Sequence, residues 1–349
     1  MLILILRMCD QTDNSAPTDI DRSKTLQKVL DFGADFDVAA TDVAKLLSSA
    51  GSLEPSSQSM AVALSKSSRL HDWITCGKSA SFIVHGNKLS GRKRQRSALS
   101  LVCAKLIDEL GLANVKVRGR EDSKIFTVSW FCGERTQYAP EGAVDNNANL
   151  VAMRRSLIAQ LLHQVLDRTD LDPAGFGYIA RIDTLPKVND SVKESWHENV
   201  WLGSLFIELV YTLPQGSTLF CILDGVSHHE DRKHHADLFK LIQDFLLIKS
   251  ISGSCRFKLL VTTPLGSSQV ESWFGQGEPM KTWPRWRLPL TGGITAAEWD
   301  ATIGKAVIDF REWFKEDERL RKEWKAEVEK MRKESGSTIC PVTNSYRNG

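Results

Sequence analysis

The stretch SFIVHGNKLSGRKRQRSALSLVCAKLI, residues 81–107, is where the fold can be read first. Phe82, Ile83, Val84 and His85 favour a strand, and an amphipathic helical run begins near Ser97. Between them stand Gly86 and Gly91, with four residues in the interval, followed by Arg92 and Lys93. A strand, the loop G-x-x-x-x-G-K-[ST] and a helix make up a phosphate-binding arrangement. Loop N–H groups wrap the phosphates and the lysine reaches the terminal ones. The hydroxyl ligates magnesium, and the helix adds its positive end. In this chain Arg92 takes the lysine's place and Lys93 the hydroxyl's. An arginine fork can contact a phosphate but is a poor match for a lysine's point charge. Lys93 is the more damaging change, because it sets a cation where a magnesium ligand is required. Ser97 lies one helical turn too far on to replace it. A second near-match, TCGKSA at 75–80, precedes the strand and has Asp72 where the first glycine should stand, so it is a coincidence of letters.

Outward from this stretch, further strands are predicted in KIFTVSWFCG (from 124), STLFCILDG (from 217), RFKLLVTTP (from 256) and the shorter WPRWRLPL (from 283). Several are nearly all apolar, as parallel strands covered on both faces must be. Helical periodicity fills the intervals 97–110, 150–166, 202–213 and 232–249. Strands alternating with helices predict an α/β fold, a doubly wound and mostly parallel sheet with flanking helices. Residues 1–70 read as a polar, partly disordered segment with short helices in SKTLQKVLDF and DVAATDVAKLLSS, and 49–59 as a linker. The α/β domain is expected over 71–292, with a surface insertion at about 167–198 where turn chemistry replaces periodicity. A long helix is expected over 293–336, opening on the capping-box pattern TAAE and turning from amphipathic to densely charged. A flexible tail, 337–349, follows.

The chain has 349 residues, 42% of them hydrophobic and 25% charged, with a net charge of +2. That balance excludes a global pull towards a polyanion, so any basic patch must be local. Seven cysteines without a C-x-x-C pair suit a reducing compartment. The opening MLILILRMCD is short for a secretory h-region, and no segment reaches the roughly 18 continuous apolar residues of a membrane helix. The expectation is a cytoplasmic protein with no membrane association. Nuclear entry through the basic loop at 92–96 is the other reading.

Five segments, VHG-x4-G, SWFCGERTQ, LVAMRRSLIAQLL, LFIELVYTLPQGSTLFCILDGVS and FKLLVTTP, follow one another in this order. Together, over residues 73–290, they resemble the NACHT-type nucleotide-binding domain of fungal STAND proteins. The resemblance implies a P-loop NTPase-like fold and, for the family, ATP or GTP binding that drives oligomerisation. Carried onto this chain, the nucleotide site would comprise Gly86, Gly91, Arg92, Lys93, Asp224, Thr262 and Thr263. The departures all fall on the chemistry. The family's Walker B resembles Asp-Gly-x-Asp-Glu, whereas Asp224 is followed by Gly225, Val226, Ser227 and His228. The sensor strand, which tends to end Thr-Ser-Arg, ends here Thr262-Thr263-Pro264. Losing the metal ligand, the catalytic acid and the sensor cation together removes the electrostatics that phosphoryl transfer depends on. The expectation is a pseudo-NTPase with no catalytic residue and no required cofactor.

Other constellations are weaker. SHHEDRKHHADLF offers His228, His234 and Asp237 as metal ligands, although neighbouring histidines diverge on a helix or a strand. GRKRQR could meet nucleic acid, but no aromatic residue is interleaved to stack bases, so a solvated or anion-binding loop is preferred. Trp273, Phe274, Trp283 and Trp286 read as packing around an edge strand. In the charged half of the last helix, Leu320, Trp324, Val328 and Met331 recur at helical spacing and are the candidate seam for a protein partner or self-association. Three readings stand: a non-catalytic interaction or regulatory module, a weak ATP/GTP binder or slow NTPase, and a nucleic-acid binder acting through the basic loop.

Overall fold

The computed structural model describes residues 37–50, 55–86, 97–117, 125–136, 150–166, 194–230, 235–251, 255–264, 270, 272–273, 286–287, 319 and 326. The chain divides into two units, 1–307 and 308–349. In the second unit Arg319 and Ala326 are helical and exposed, while Leu320, Trp324, Val328 and Met331 lie outside the described residues.

The first unit is built on one parallel sheet. Its strands are β1 (Ala80–His85), β2 (Ile125–Phe131), β3 (Thr218–Asp224), β4 (Arg256–Thr263) and the two-residue β5 (Trp286–Arg287). They lie in the order β2-β3-β4-β1-β5, with every pairing parallel. The described helices of this unit are α1 (Asp37–Ser48), α2 (Pro55–Ser65), α3 (Ser68–Thr75), α4 (Ala98–Val117), α5 (Cys132–Thr136), α6 (Leu150–Leu166), α7 (Glu194–Thr212) and α8 (His235–Ile251). The predicted α/β class and the parallel sheet are present. None of the described helices is long and apolar enough to cross a membrane.

The strand register sorts side chains onto two faces. Phe126, Leu219 and Phe257 stand side by side, then Val128, Cys221 and Leu259, then Trp130, Leu223 and Val261. These belong to the cluster that also holds Leu157, Leu161, Phe206, Leu241 and Phe245 of α6, α7 and α8. The opposite face carries Phe82, Phe220 and Leu260, under α4 with α1 and α2 packed upon it. Both faces are covered, which is why burial runs almost unbroken along the strands rather than alternating.

Two element boundaries differ from expectation. The stretch 49–59, read as a linker, contains the start of α2, whose first residue Pro55 suits the opening helical turn and whose Ala61, Val62 and Leu64 are buried. Helix α7 starts at Glu194, within the stretch read as an insertion, and Asn199 is already buried.

Polar groups locked into the core fix the helices in place. Arg154 of α6 donates to Asp244 of α8 at 2.8 Å, both about 3% exposed, and Lys240 reaches the other oxygen of Asp244 at 2.6 Å. This pair passes over Gly203 of α7. A Cβ there would overlap Asp244 Oδ2 and come within 2.6 Å of Arg154 Nη1. On the other sheet face Lys258 is fully buried. Its ammonium donates to Trp73 O at 2.9 Å and to Cys76 O, holding the carboxyl end of α3 against the sheet. Trp73 packs edge-on against Phe220, with ring centres 5.7 Å apart.

Gly203→Ala should therefore cost about 2–4 kcal/mol in denaturant unfolding, because the added methyl drives apart a buried ion pair. Lys258 generates a pH signature. Burial lowers its pKa from 10.5 to about 8, against the raising effect of Cys76 beside it. Between those two values the unfolded chain holds the proton and the folded chain does not, so stability rises with pH. From pH 8 to 10.5 the native protein should gain up to about 3 kcal/mol relative to Lys258→Met, measured by urea melts of both proteins.

Candidate functional site at the carboxyl ends of the strands

Strand β1 continues through α4 to β2 on one side of the sheet, whereas the chain leaving β4 crosses β1 to reach β5 on the other. The switch point lies between the carboxyl ends of β4 and β1, the position at which open parallel sheets take their ligands. Four of the candidate residues lie at the carboxyl ends of these strands and of β3. Gly86 follows β1, and Asp224 ends β3. Thr262 and Thr263 end β4, with Pro264 next. Gly91, Arg92, Lys93 and His234 lie outside the described residues.

Asp224 is 2% exposed. The Thr262 hydroxyl donates to Asp224 Oδ1 at 2.5 Å and accepts the Gly225 N–H at 2.9 Å. Gly225 has φ +73°, a left-handed turn that favours glycine, and His228 N–H donates back to Gly225 O at 2.9 Å. The chain thus winds from Asp224 into a 3-10 turn at Val226–His229. A carboxylate, a hydroxyl and a backbone amide are joined in series, and the series anchors the turn to β4.

Alternation decides which threonine participates. Thr262 pairs with Val84 and shares the α4 face with Asp224. Thr263 pairs with His85 on the other face, where its hydroxyl meets His85 Nδ1 at 2.6 Å. The two threonines, carried over together from the family pattern, belong to separate clusters. The charge of Asp224 is felt by Cys103 of α4 and by Cys132 after β2. Both thiols are pushed well above their usual range, by burial first and by Asp224 second. Neither is poised as a nucleophile at neutral pH.

Gly86 has a packing reason of its own. Its N–H donates to Thr263 O at 3.0 Å, and a Cβ would stand 2.9 Å from Pro264 O and 3.3 Å from the Leu99 side chain. Helix α4 begins behind Ser97, whose hydroxyl accepts the Ser100 N–H at 3.0 Å. That is an N-cap, and it answers one of the donors an anion would use. Arg92 and Lys93 precede this cap in the chain by five and four residues.

Of the metal candidates, His228 and Asp237 fall among the described residues. His228 lies over two glycines, and a Cβ on Gly133 would stand 3.4 Å from its Nε2. Asp237, in the first turn of α8, acts electrostatically on Arg154. Among the described residues no group of three or more His, Cys, Asp or Glu side chains could hold a metal ion. The roles of His85, Gly225 and Ser97 were missed in the sequence. Period-two counting along β1 and β4 would have paired His85 with Thr263, and the Asp-Gly step is itself a turn signal.

No protein-family model, no curated protein and no solved structure matches the chain.

Thr262→Val should cost about 1–3 kcal/mol, since it removes the hydroxyl that donates to the Asp224 carboxylate and accepts the Gly225 N–H in the interior. Asp224→Asn, which retains an acceptor for Thr262, should cost less. Paired urea melts give both values, and equal losses would show that the charge matters more than the bond.

Proposed function

We propose that the chain is a non-catalytic pseudo-NTPase, an interaction or regulatory module related to the NACHT-like domains of fungal STAND proteins. Its sheet would be a P-loop NTPase-like sheet that has kept its architecture and lost its chemistry. The observation that carries this reading is the use made of Asp224. In a working site the acid ending β3 is available to a metal ion, and a second acid follows it. Here Asp224 is buried, takes the Thr262 hydroxyl and anchors a turn. The residues that follow are Gly225, Val226, Ser227 and His228, with His228 packed over glycine backbone. Lys93 where magnesium needs a hydroxyl, and Pro264 where a sensor cation would sit, support the same reading. Interaction would fall to the seam Leu320, Trp324, Val328 and Met331, engaging a protein partner or a second copy.

Equilibrium binding of labelled ATP and GTP, with and without magnesium, together with phosphate release, tests the proposal. We expect no hydrolysis above buffer. We expect any binding to be weak and indifferent to magnesium, and to be reduced by roughly 1–3 kcal/mol in Arg92→Ala or Lys93→Ala. Turnover that scales with protein and vanishes in Asp224→Ala, or affinity that climbs steeply with magnesium, would overturn it.

A further inference from the structure

Among the described residues, strand β2 is the edge of the sheet and pairs with β3 alone. An edge strand presents a row of N–H and C=O groups to any passing strand. Here that row is occupied by two side chains. The Gln160 amide accepts the Ser129 N–H at 2.9 Å and donates to Ser129 O at 2.9 Å. The Gln164 amide accepts the Thr127 N–H at 3.0 Å and donates to Thr127 O at 2.6 Å. Each carboxamide makes the two bonds that the N–H and C=O of one residue of a neighbouring antiparallel strand would make. The spacing permits it: one turn of four helical residues rises about 6 Å, close to the roughly 6.6 Å between alternate strand residues. The pairing runs antiparallel, with the earlier glutamine on the later strand residue. The amides are themselves held, Gln160 by Ser156 Oγ at 3.0 Å and Gln164 by Gln160 O at 3.0 Å.

We infer that Gln160 and Gln164 act as a surrogate strand that keeps β2 from pairing with β2 of a second copy of this chain. A groove of about 470 Å³, lined by Ala39, Val43 and Ala44 of α1 and by Thr127, Ser129 and the two glutamines, opens onto this edge. The glutamines therefore stand between an approachable strand and its would-be partner. The partner that fits a bared β2 is the same strand of another copy, antiparallel across a two-fold axis, because such an interface is self-complementary.

The test uses the full chain carrying Gln160→Ala and Gln164→Ala together. Amide hydrogen exchange at Thr127 and Ser129 is read at low concentration, and sedimentation is followed over rising concentration. We expect exchange at both amides to quicken about threefold to tenfold, the range for a lost hydrogen bond. We also expect a dimer to form with concentration and to restore protection at those two amides. Unchanged exchange, or faster exchange with no dimer at any concentration, would overturn the inference. Should the double variant fail to fold, Gln164→Ala alone should quicken Thr127 and leave Ser129 as it was; equal quickening of both, or of neither, would count against a residue-by-residue seal.

Discussion

A parallel sheet buried on both faces leaves no water to satisfy a polar group, and that constraint governs the remainder of this structure. The four longer strands are almost wholly buried, so each polar side chain that enters needs a partner there. Lys258 enters with two carbonyls at the end of α3, and Asp224 with the Thr262 hydroxyl. Arg154 and Asp244 enter together in the helical layer. In each case the bond joins elements distant in sequence, so the polar interior specifies which pieces lie together.

The same constraint shapes the carboxyl edge of the sheet. A carboxylate buried beside two thiols would be costly if left bare, and the hydroxyl that stabilises it also holds the Gly225 turn. Once Asp224 is tied to the β4 end in this way, releasing it to a metal would break the turn as well. Gly86 is under a similar double demand, since the backbone at Pro264 leaves no room for a side chain whether or not a phosphate is bound. Two residues that look like remnants of nucleotide chemistry therefore have structural reasons to be present.

The amino-acid sequence by itself determined the class of the fold. Continuous apolar runs at 82–84, 219–223 and 259–261, separated by helical periods, fit parallel strands with helices on both faces. It also located Gly86 and Asp224 at strand ends, where turn chemistry follows an apolar run, whereas Thr262 and Thr263 were singled out only by the family resemblance. Short-range patterns suffice for these features. The sequence was less informative for Pro55, which reads equally as a linker residue and as the first residue of a helix. The choice was made by the burial of Ala61, Val62 and Leu64 in α2. Tertiary structure alone decided the pairings: Thr262 rather than Thr263 on Asp224, the charge of Asp237 on Arg154, Gly203 beneath an ion pair, and two glutamines on a strand edge. Each depends on strand register or helix rotation, which are set by the summed packing of distant segments and leave no local mark on the residues concerned.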